Sequence, residues 1–323
     1  MNRFGWLDVV KIRKFSFVFS AVIILLTIVF SFVFGVEFDI QFKGGTIITY
    51  SYTGEADLNA IKGTVDETLG CNSNVTKGTS IGDANIENIT VEIDSTEGIN
   101  SDKQSSLTNA LHTAYPDNNL EILQSQDVAA SSGISFFYKC LVAVALASIF
   151  IIVYVALRFK KIGGISAGVC AIIALLHDVI IVYATMVFTR MQIDSNFMAA
   201  VLIILGYSVN DTIIIYDRLR ENRKIYGKKL DTAELVNISV RQTLSRTINT
   251  TLTTMATVLV MCIVCYAYNI SSIYSLLFPL LLGMISGTYS TIFIACPIWV
   301  MWKNRQERVE HEKKVSASRG NNK

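Results

Sequence analysis

Residues 247–302 form a run of 56 positions without one charged side chain. A single membrane-crossing helix needs only about 20 apolar residues, so the run is too long for one span. The stretch "YNISS" at 268–272 supplies a turn that divides it in two. Residues 15–36 make another 22-residue run without a charge, and apolar blocks occupy 140–157, 162–189 and 197–216. The third block is interrupted by His177 and Asp178, the fourth by Asn210 and Asp211. The reading is therefore an α-helical membrane bundle of six spans. Composition agrees: 51% of residues are hydrophobic and 17% charged, which excludes an ordinary soluble domain.

Lys and Arg orient the chain. Four lie in residues 1–14, namely Arg3, Lys11, Arg13 and Lys14. Three lie in "RFKK" at 158–161, eight in 217–246 and seven in 303–323, against one in 190–196. Every rich segment falls on the same side of a six-span chain, which predicts cytoplasmic termini in a cell-membrane protein. The basic start followed by an apolar run is similar to a signal peptide. The run is too long and lacks a small-x-small cleavage site, so an uncleaved first span is expected. The resulting map is a cytoplasmic 1–14, a first span at 15–36, an outer domain at 37–137 and spans two to four in 138–216. A cytoplasmic connection at 217–246, spans five and six in 247–302 and a cytoplasmic tail at 303–323 complete it.

The outer domain carries 15 acidic and 4 basic residues. Its pattern is β-α-β-β-α-β, an α+β ferredoxin-like order. "TIITYSY" (46–52), "NVTKGTSI" (74–81), "NITVEID" (88–94) and "NLEILQSQ" (119–126) read as strands. Residues 56–70 have helical spacing with Gly70 as the C-cap, and 101–115 open on Ser101 as the N-cap. Gly44 and Gly45 in "FKGGT" lack a phosphate-loop pattern and predict a tight backbone where membrane meets domain. On the inner side, Asp231 and Glu234 form a capping-box-like start, followed by the apolar stripe Ala233, Val236, Val240 and Leu244. That is an amphipathic cytoplasmic helix. The last residues, "KKVSASRGNNK", read as a loose tail.

Of six cysteines, only Cys71 lies in the long polar stretch. "CIVC" at 262–265 sits mid-span with no His or charge nearby, and packs as small hydrophobes rather than as a redox or metal motif. No HExxH motif occurs, and no metal, cofactor, nucleic acid or enzymatic activity is expected.

The carboxylates inside the spans carry the functional signal. A charge at mid-bilayer is disfavoured by about 2.5–3.5 kcal/mol, so such a group faces the bundle interior, finds a partner, or is protonated. Gly206, Tyr207, Asn210, Asp211 and Ile214 share one helical face by spacing, and a Gly there admits a neighbouring helix. Arg246 opens the fifth span in "SRTINTTLTT" and is a donor in reach by sequence order. An Asp211–Arg246 pair that separates during a conformational change would capture or release a proton. The alternative is that Asp211 only holds helices together, and for His177 and Asp178 that architectural reading is the stronger. Asp217, Arg218, Arg220, Glu221 and Arg223 read first as a solvated positive-inside anchor. Asp178 and Asp211 number enough for an intramembrane aspartyl protease, but neither has a Y-D or G-x-G-D setting and they lie at different depths.

"FDIQFKGGT", "ALLHD", "GYSVNDTIIIYDRLREN" and "SRTINTTLTT" occur in that order across residues ~1–305 and resemble the SecF family of protein-export membrane proteins. The resemblance implies an RND-type half of six transmembrane helices with a ferredoxin-like extracytoplasmic domain after the first. It implies use of the proton-motive force to promote late-stage export through the SecYEG channel. It implies SecD as a separate partner chain, YajC as a further one, and unfolded exported polypeptides as substrate. The family's proton-transport residues match Asp211 and Arg246 here, with Asn210 beside the carboxylate. His177 and Asp178 are candidates for a membrane relay, and Gly44, Gly45, Gly206, Tyr207, Asp217 and Arg218 belong to the family motifs. The approach to "GGT" is longer here than in many members. The outer domain is expected to serve as a base for its SecD counterpart. The alternative reading is half of an RND-type small-molecule or lipid exporter.

Overall fold

The computed structural model describes residues 7–79, 87–94, 99–128, 130–227, 229–268 and 270–320. Among the sequence expectations, Arg3, Ser80, Ile81, Lys228, Asn269 and residues 321–323 lie outside these.

The first long helix, α1, is Val9–Phe34, capped by the Asp8 carboxylate. Its apolar side chains point outward, Phe15 being 74% and Phe32 86% exposed, while Ser16, Ser20 and Thr27 face the bundle. This inside-out pattern suits lipid, where apolar groups need no burial and small polar groups let helices approach. A one-turn helix, α2 (Ile40–Lys43), then leads into strand β1 (Gly45–Tyr52). Gly44 and Gly45 make that entry at φ 84° and 152°. A side chain at Gly45 would run into the Ile93 carbonyl, so the tight junction read from "KGGT" is present.

The polar domain continues with α3 (Leu58–Leu69), β2 (Ser73–Thr79), β3 (Glu87–Ile93), α4 (Ser101–Ala114) and β4 (Glu121–Val128). The sheet order is β2-β3-β1-β4, and all three pairings are antiparallel. This is the split β-α-β topology of a ferredoxin-like domain. Period-two alternation places Ile48, Tyr50, Tyr52, Ile89, Val91 and Ile93 on the face covered by Ile61, Val65, Leu107 and Leu111 of the two helices. Each such burial contributes roughly 1.5–3 kcal/mol. Gly70 ends α3 in a left-handed conformation, as expected of a C-cap. The N-cap of α4 is Asn100 rather than Ser101, because the Asn100 side chain reaches the Lys103 amide at 3.0 Å.

The remaining long helices are α5 (Ala130–Arg158), α6 (Gly164–Thr189), α7 (Ser195–Tyr226), α8 (Thr232–Ala267), α9 (Ser271–Ser290) and α10 (Cys296–Gly320). A π-helical turn, Thr291–Ala295, joins α9 to α10 without a break. Among the described residues, six helical stretches are long and apolar enough to cross a membrane. Helices α6, α7 and the α9–α10 rod form the buried centre, while α1 and α5 lie outside it.

The helices outrun the apolar blocks. No Gly or Pro interrupts α7 after Gly206 or α8 anywhere, so neither stops at the expected membrane edge. The expected connection at 217–246 is therefore divided between the end of α7 and the start of α8. The amphipathic helix opened by Asp231 is not a separate element but the first third of α8. Of its apolar stripe, Val236, Val240 and Leu244 pack into the core cluster with Leu7, Val9 and Leu219, Ala233 packs against it, and Leu235 joins them. In the same way α5 begins at Ala130, before the expected span boundary, and the stretch from Lys313 to Gly320 continues α10 instead of forming a loose tail.

Candidate functional site: two buried carboxylates between α6, α7 and α9

Two glycines bring the central helices together. Gly283 and Gly287 of α9 lie one turn apart against α7: a side chain on Gly283 would collide with Ile204, and one on Gly287 would meet Ser208 at 3.1 Å. Such small-xxx-small contact lets side-chain hydroxyls cross between helices. Gly206, by contrast, has no atom within 4 Å of where its side chain would be. The close helix approach expected there is absent among the described residues and occurs at α9 instead.

Asp178 of α6 is fully buried. Its Oδ2 accepts from Ser208 Oγ of α7 at 2.7 Å and from Ser290 Oγ of α9 at 2.8 Å. Its Oδ1 accepts from Ser286 Oγ at 2.6 Å, with His177 Nδ1 at 3.5 Å. Three hydroxyls from two helices thus converge on one carboxylate, filling most of its acceptor sites. His177 is 7% exposed; its Nε2 is buried without a partner, and its ring centroid lies 5.8 Å from that of Tyr289. Tyr289 in turn donates to the Ser16 carbonyl at 2.8 Å and meets Ser20 Oγ at 3.2 Å, tying α9 to α1.

Asp211 of α7 is 1% exposed and far less well held. Its Oδ2 accepts from Thr288 Oγ1 of α9 at 3.2 Å, and its Oδ1 is buried with no partner. Thr288 also meets Thr251 Oγ1 of α8 at 2.9 Å, and Thr212 meets Thr291 at 3.1 Å. A chain of hydroxyls therefore runs from α8 through α9 to α7 at this depth.

Arg246 does not reach Asp211. It is exposed, and makes no ion pair or side-chain hydrogen bond among the described residues. The residue that turns inward is its neighbour Thr247, whose hydroxyl is buried and unpartnered. The expected common face is also split: Asp211 points in, whereas Gly206 and Asn210, four residues apart, lie exposed on the outer side of α7. Tyr207 is half-buried with an unpartnered hydroxyl.

At the basic end of the bundle, Asp217 pairs with Arg158 of α5 at 3.1 Å and with Arg220 at 2.6 Å. Arg218 holds Glu221 at 2.7 Å and Gln242 of α8 at 2.6 Å. Asp217 and Arg218 thus tie three helices together, rather than standing as separately solvated charges. At the opposite end, the polar domain is joined to the bundle through residues 37–39. Asp39 N donates to the Ile193 carbonyl at 3.0 Å, Ile193 N to the Glu37 carbonyl at 2.8 Å, and Arg190 pairs with Glu37. Gln192 donates to Glu92 of β3 at 3.2 Å. Burial pushes the Asp39 and Glu92 carboxyls above the usual range; the charge of Asp194 adds to both. Hydrogen bonds from Gln41 to Asp39, and from Asn74 and Gln192 to Glu92, pull the other way.

The hydroxyl partners Ser208, Ser286, Thr288 and Ser290 were not singled out from the sequence. A signal was present, because "GMISGTYST" places six Gly, Ser and Thr residues among nine inside an apolar span.

Six membrane-crossing helices with two carboxylates between them, and a ferredoxin-like domain on one end, define a multi-pass membrane protein. The family profile described as "Protein export membrane protein SecD/SecF, C-terminal" matches residues 107–305. "Protein translocase subunit SecF" of Alicyclobacillus acidocaldarius is 33% identical over 306 residues, covering 92% of this chain and 93% of that one. "Protein translocase subunit SecDF" of Bacillus subtilis is 38% identical over 181 residues, or 55% of this chain and 24% of that one. The crystal structure of SecDF from Thermus thermophilus, described as a translocon-associated membrane protein, superposes with a TM-score of 0.76 at 27% identity, covering 92% of this chain. This chain spans 39% of that one. The chain belongs to the SecF family of protein-export membrane proteins.

Proposed function

We propose that this chain is the SecF-type subunit of a protein-export assembly, in which it pairs with a SecD-type chain. The pair acts beside the SecYEG channel, with YajC as a further associate, and uses the proton-motive force to promote the late stage of export of unfolded polypeptides. The excess of Lys and Arg at 1–14, 158–161, 217–246 and 303–323 supports cytoplasmic termini, with the 37–137 domain outside. That domain acts as a base for its SecD counterpart.

One observation carries the reading: Asp211 is buried in the bundle with one carboxylate oxygen free, next in sequence to an outward face formed by Gly206 and Asn210. A carboxylate so weakly held is suited to change its protonation, and the open face of α7 is where a second bundle would complete the path. Arg246 supplies the counter-charge in a second state. Rotating the inner part of α8 by about 100°, one residue's turn, would exchange inward Thr247 for Arg246. His177 and Asp178 form a second ionisable centre on the same path. Each proton descending 100 mV releases about 2.3 kcal/mol, enough to bias such a motion.

The test is complementation. Cells depleted of their own SecF should recover secretion of a slow reporter when this chain is expressed, and it should co-purify with SecD and SecY from the membrane. Recovery of neither, with the protein present in the membrane, would refute the assignment.

A further inference from the structure

The two carboxylates are not independent, because a single stretch of α9 serves both. Ser286 and Ser290 lie one turn apart and both donate to Asp178, at 2.6 and 2.8 Å. Thr288, midway between them, is turned about 200° from each and faces the other way, donating to Asp211 at 3.2 Å. Ser208 of α7 also bonds Asp178 and packs against Gly287, so α7 and α9 are held together at the same level. Immediately beyond Ser290 the helix widens into the π turn Thr291–Ala295, a feature that recurs at functional sites in helices.

We propose that Ser286 and Ser290 are positioning residues: by anchoring α9 to Asp178 they hold the Thr288 hydroxyl on Asp211, so the Asp178 cluster sets the environment of the second carboxylate. The consequence for proton transfer rests on the proposed proton-coupled function; the positioning itself does not. One bond of the network can reverse its direction. Ser290 Oγ lies 3.2 Å from the Gly287 carbonyl as well as 2.8 Å from Asp178. A proton arriving on Asp178 Oδ2 can be donated to Ser290 Oγ, whose own hydrogen then turns to Gly287. The groups around Asp178 are His177 from its own helix, Ser208 from α7, and Ser286 and Ser290 from α9, with Tyr289 of α9 against the His177 ring. Asp211, one turn beyond Ser208, is the next ionisable side chain along α7. No Lys or Arg contacts Asp178 among the described residues. His177 is the one basic side chain in the cluster among the described residues.

The experiment uses the full chain in membranes. Asp211→Cys with Thr288→Cys should form a disulfide, identified as a bridged peptide by mass spectrometry. Adding Ser286→Ala and Ser290→Ala, or Asp178→Asn from the other side, should lower the yield about threefold or more, the scale of coupling through packed networks. An unchanged yield in both backgrounds overturns the proposal. The second readout is the carboxyl infrared band of Asp211, assigned by its loss in Asp211→Asn. Ser286→Ala/Ser290→Ala and Thr288→Val should each move its titration midpoint, and their combination should move it no further than either, since all act through one contact. Additive shifts would overturn the proposal. A band that never titrates while cross-linking still falls would uphold the positioning and refute the proton-carrying reading.

Discussion

Asp178 and Asp211 are equally buried, yet one accepts from three hydroxyls and the other keeps an oxygen free. This difference predicts different costs of substitution. Asp178→Ala would strand three serine hydroxyls and the His177 imidazole in a buried site. Removing one partner of a buried charged network costs about 3–5 kcal/mol, so this variant should unfold at markedly lower temperature in detergent. Asp178→Asn, which keeps shape and an acceptor, should lose less. Asp211→Asn has only one 3.2 Å contact at stake and keeps an acceptor for it, so thermal stability should be nearly unchanged. Arg246→Ala, at an exposed side chain without a partner among the described residues, should likewise be neutral for stability while removing uncoupler-sensitive secretion. If Arg246→Ala destabilises the protein as much as Asp178→Ala, Arg246 has a structural partner and its proposed role fails. At this scale the sequence reveals the charged residues, since a carboxylate in an apolar run stands out. It does not reveal their partners: Thr288 lies 77 residues from Asp211, and a hydroxyl in a span reads as packing.

At the scale of elements, the decisive contact is α7 on α9. Gly283→Leu would drive a side chain into Ile204 and Val182. Overpacking of this kind costs about 1–3 kcal/mol and more where backbones touch. The variant should lose heat stability and dissolve the Thr288–Asp211 contact together, whereas Gly206→Ala, with open space around it, should fold normally. Equal stability of Gly283→Leu and the unsubstituted chain would contradict the packing described. Element identity was legible from hydrophobic runs, and the strands from period-two alternation. Element length was not, because helices end where the backbone meets a breaker, not where the membrane ends. The sequence 232–267 contains no Gly or Pro, so α8 runs from the charged segment into the apolar one as one rod.

At the scale of the molecule, the joint between polar domain and bundle is rich in carboxyls. Asp39 and Glu92 have carboxyls raised above their ordinary range, chiefly by burial. A carboxyl raised in the folded state contributes stability that is lost as pH rises through its folded value, and that is fully present below the ordinary carboxylate range. The joint should therefore tighten as pH falls, the change beginning above the ordinary carboxylate range. Amide exchange at Asp39 and Ile193, corrected for intrinsic rate, should slow as pH falls across that window, and Glu92→Gln should flatten the response. Exchange that instead quickens on acidification would mean the joint depends on ionised carboxylates. The ferredoxin-like order was readable from six alternating segments; the joint was not, since it depends on residues 37–39 meeting 190–194 across the chain.

The central claim is that Asp211 carries a proton-coupled step. The most direct measurement is secretion of a slow reporter in cells depleted of their own SecF, comparing this chain with its Asp211→Asn form, with and without an uncoupler. The account predicts that Asp211→Asn reaches the membrane at normal levels but loses the uncoupler-sensitive part of secretion. Secretion by Asp211→Asn equal to that of the unsubstituted chain, and still sensitive to the uncoupler, would contradict it and place the proton path elsewhere.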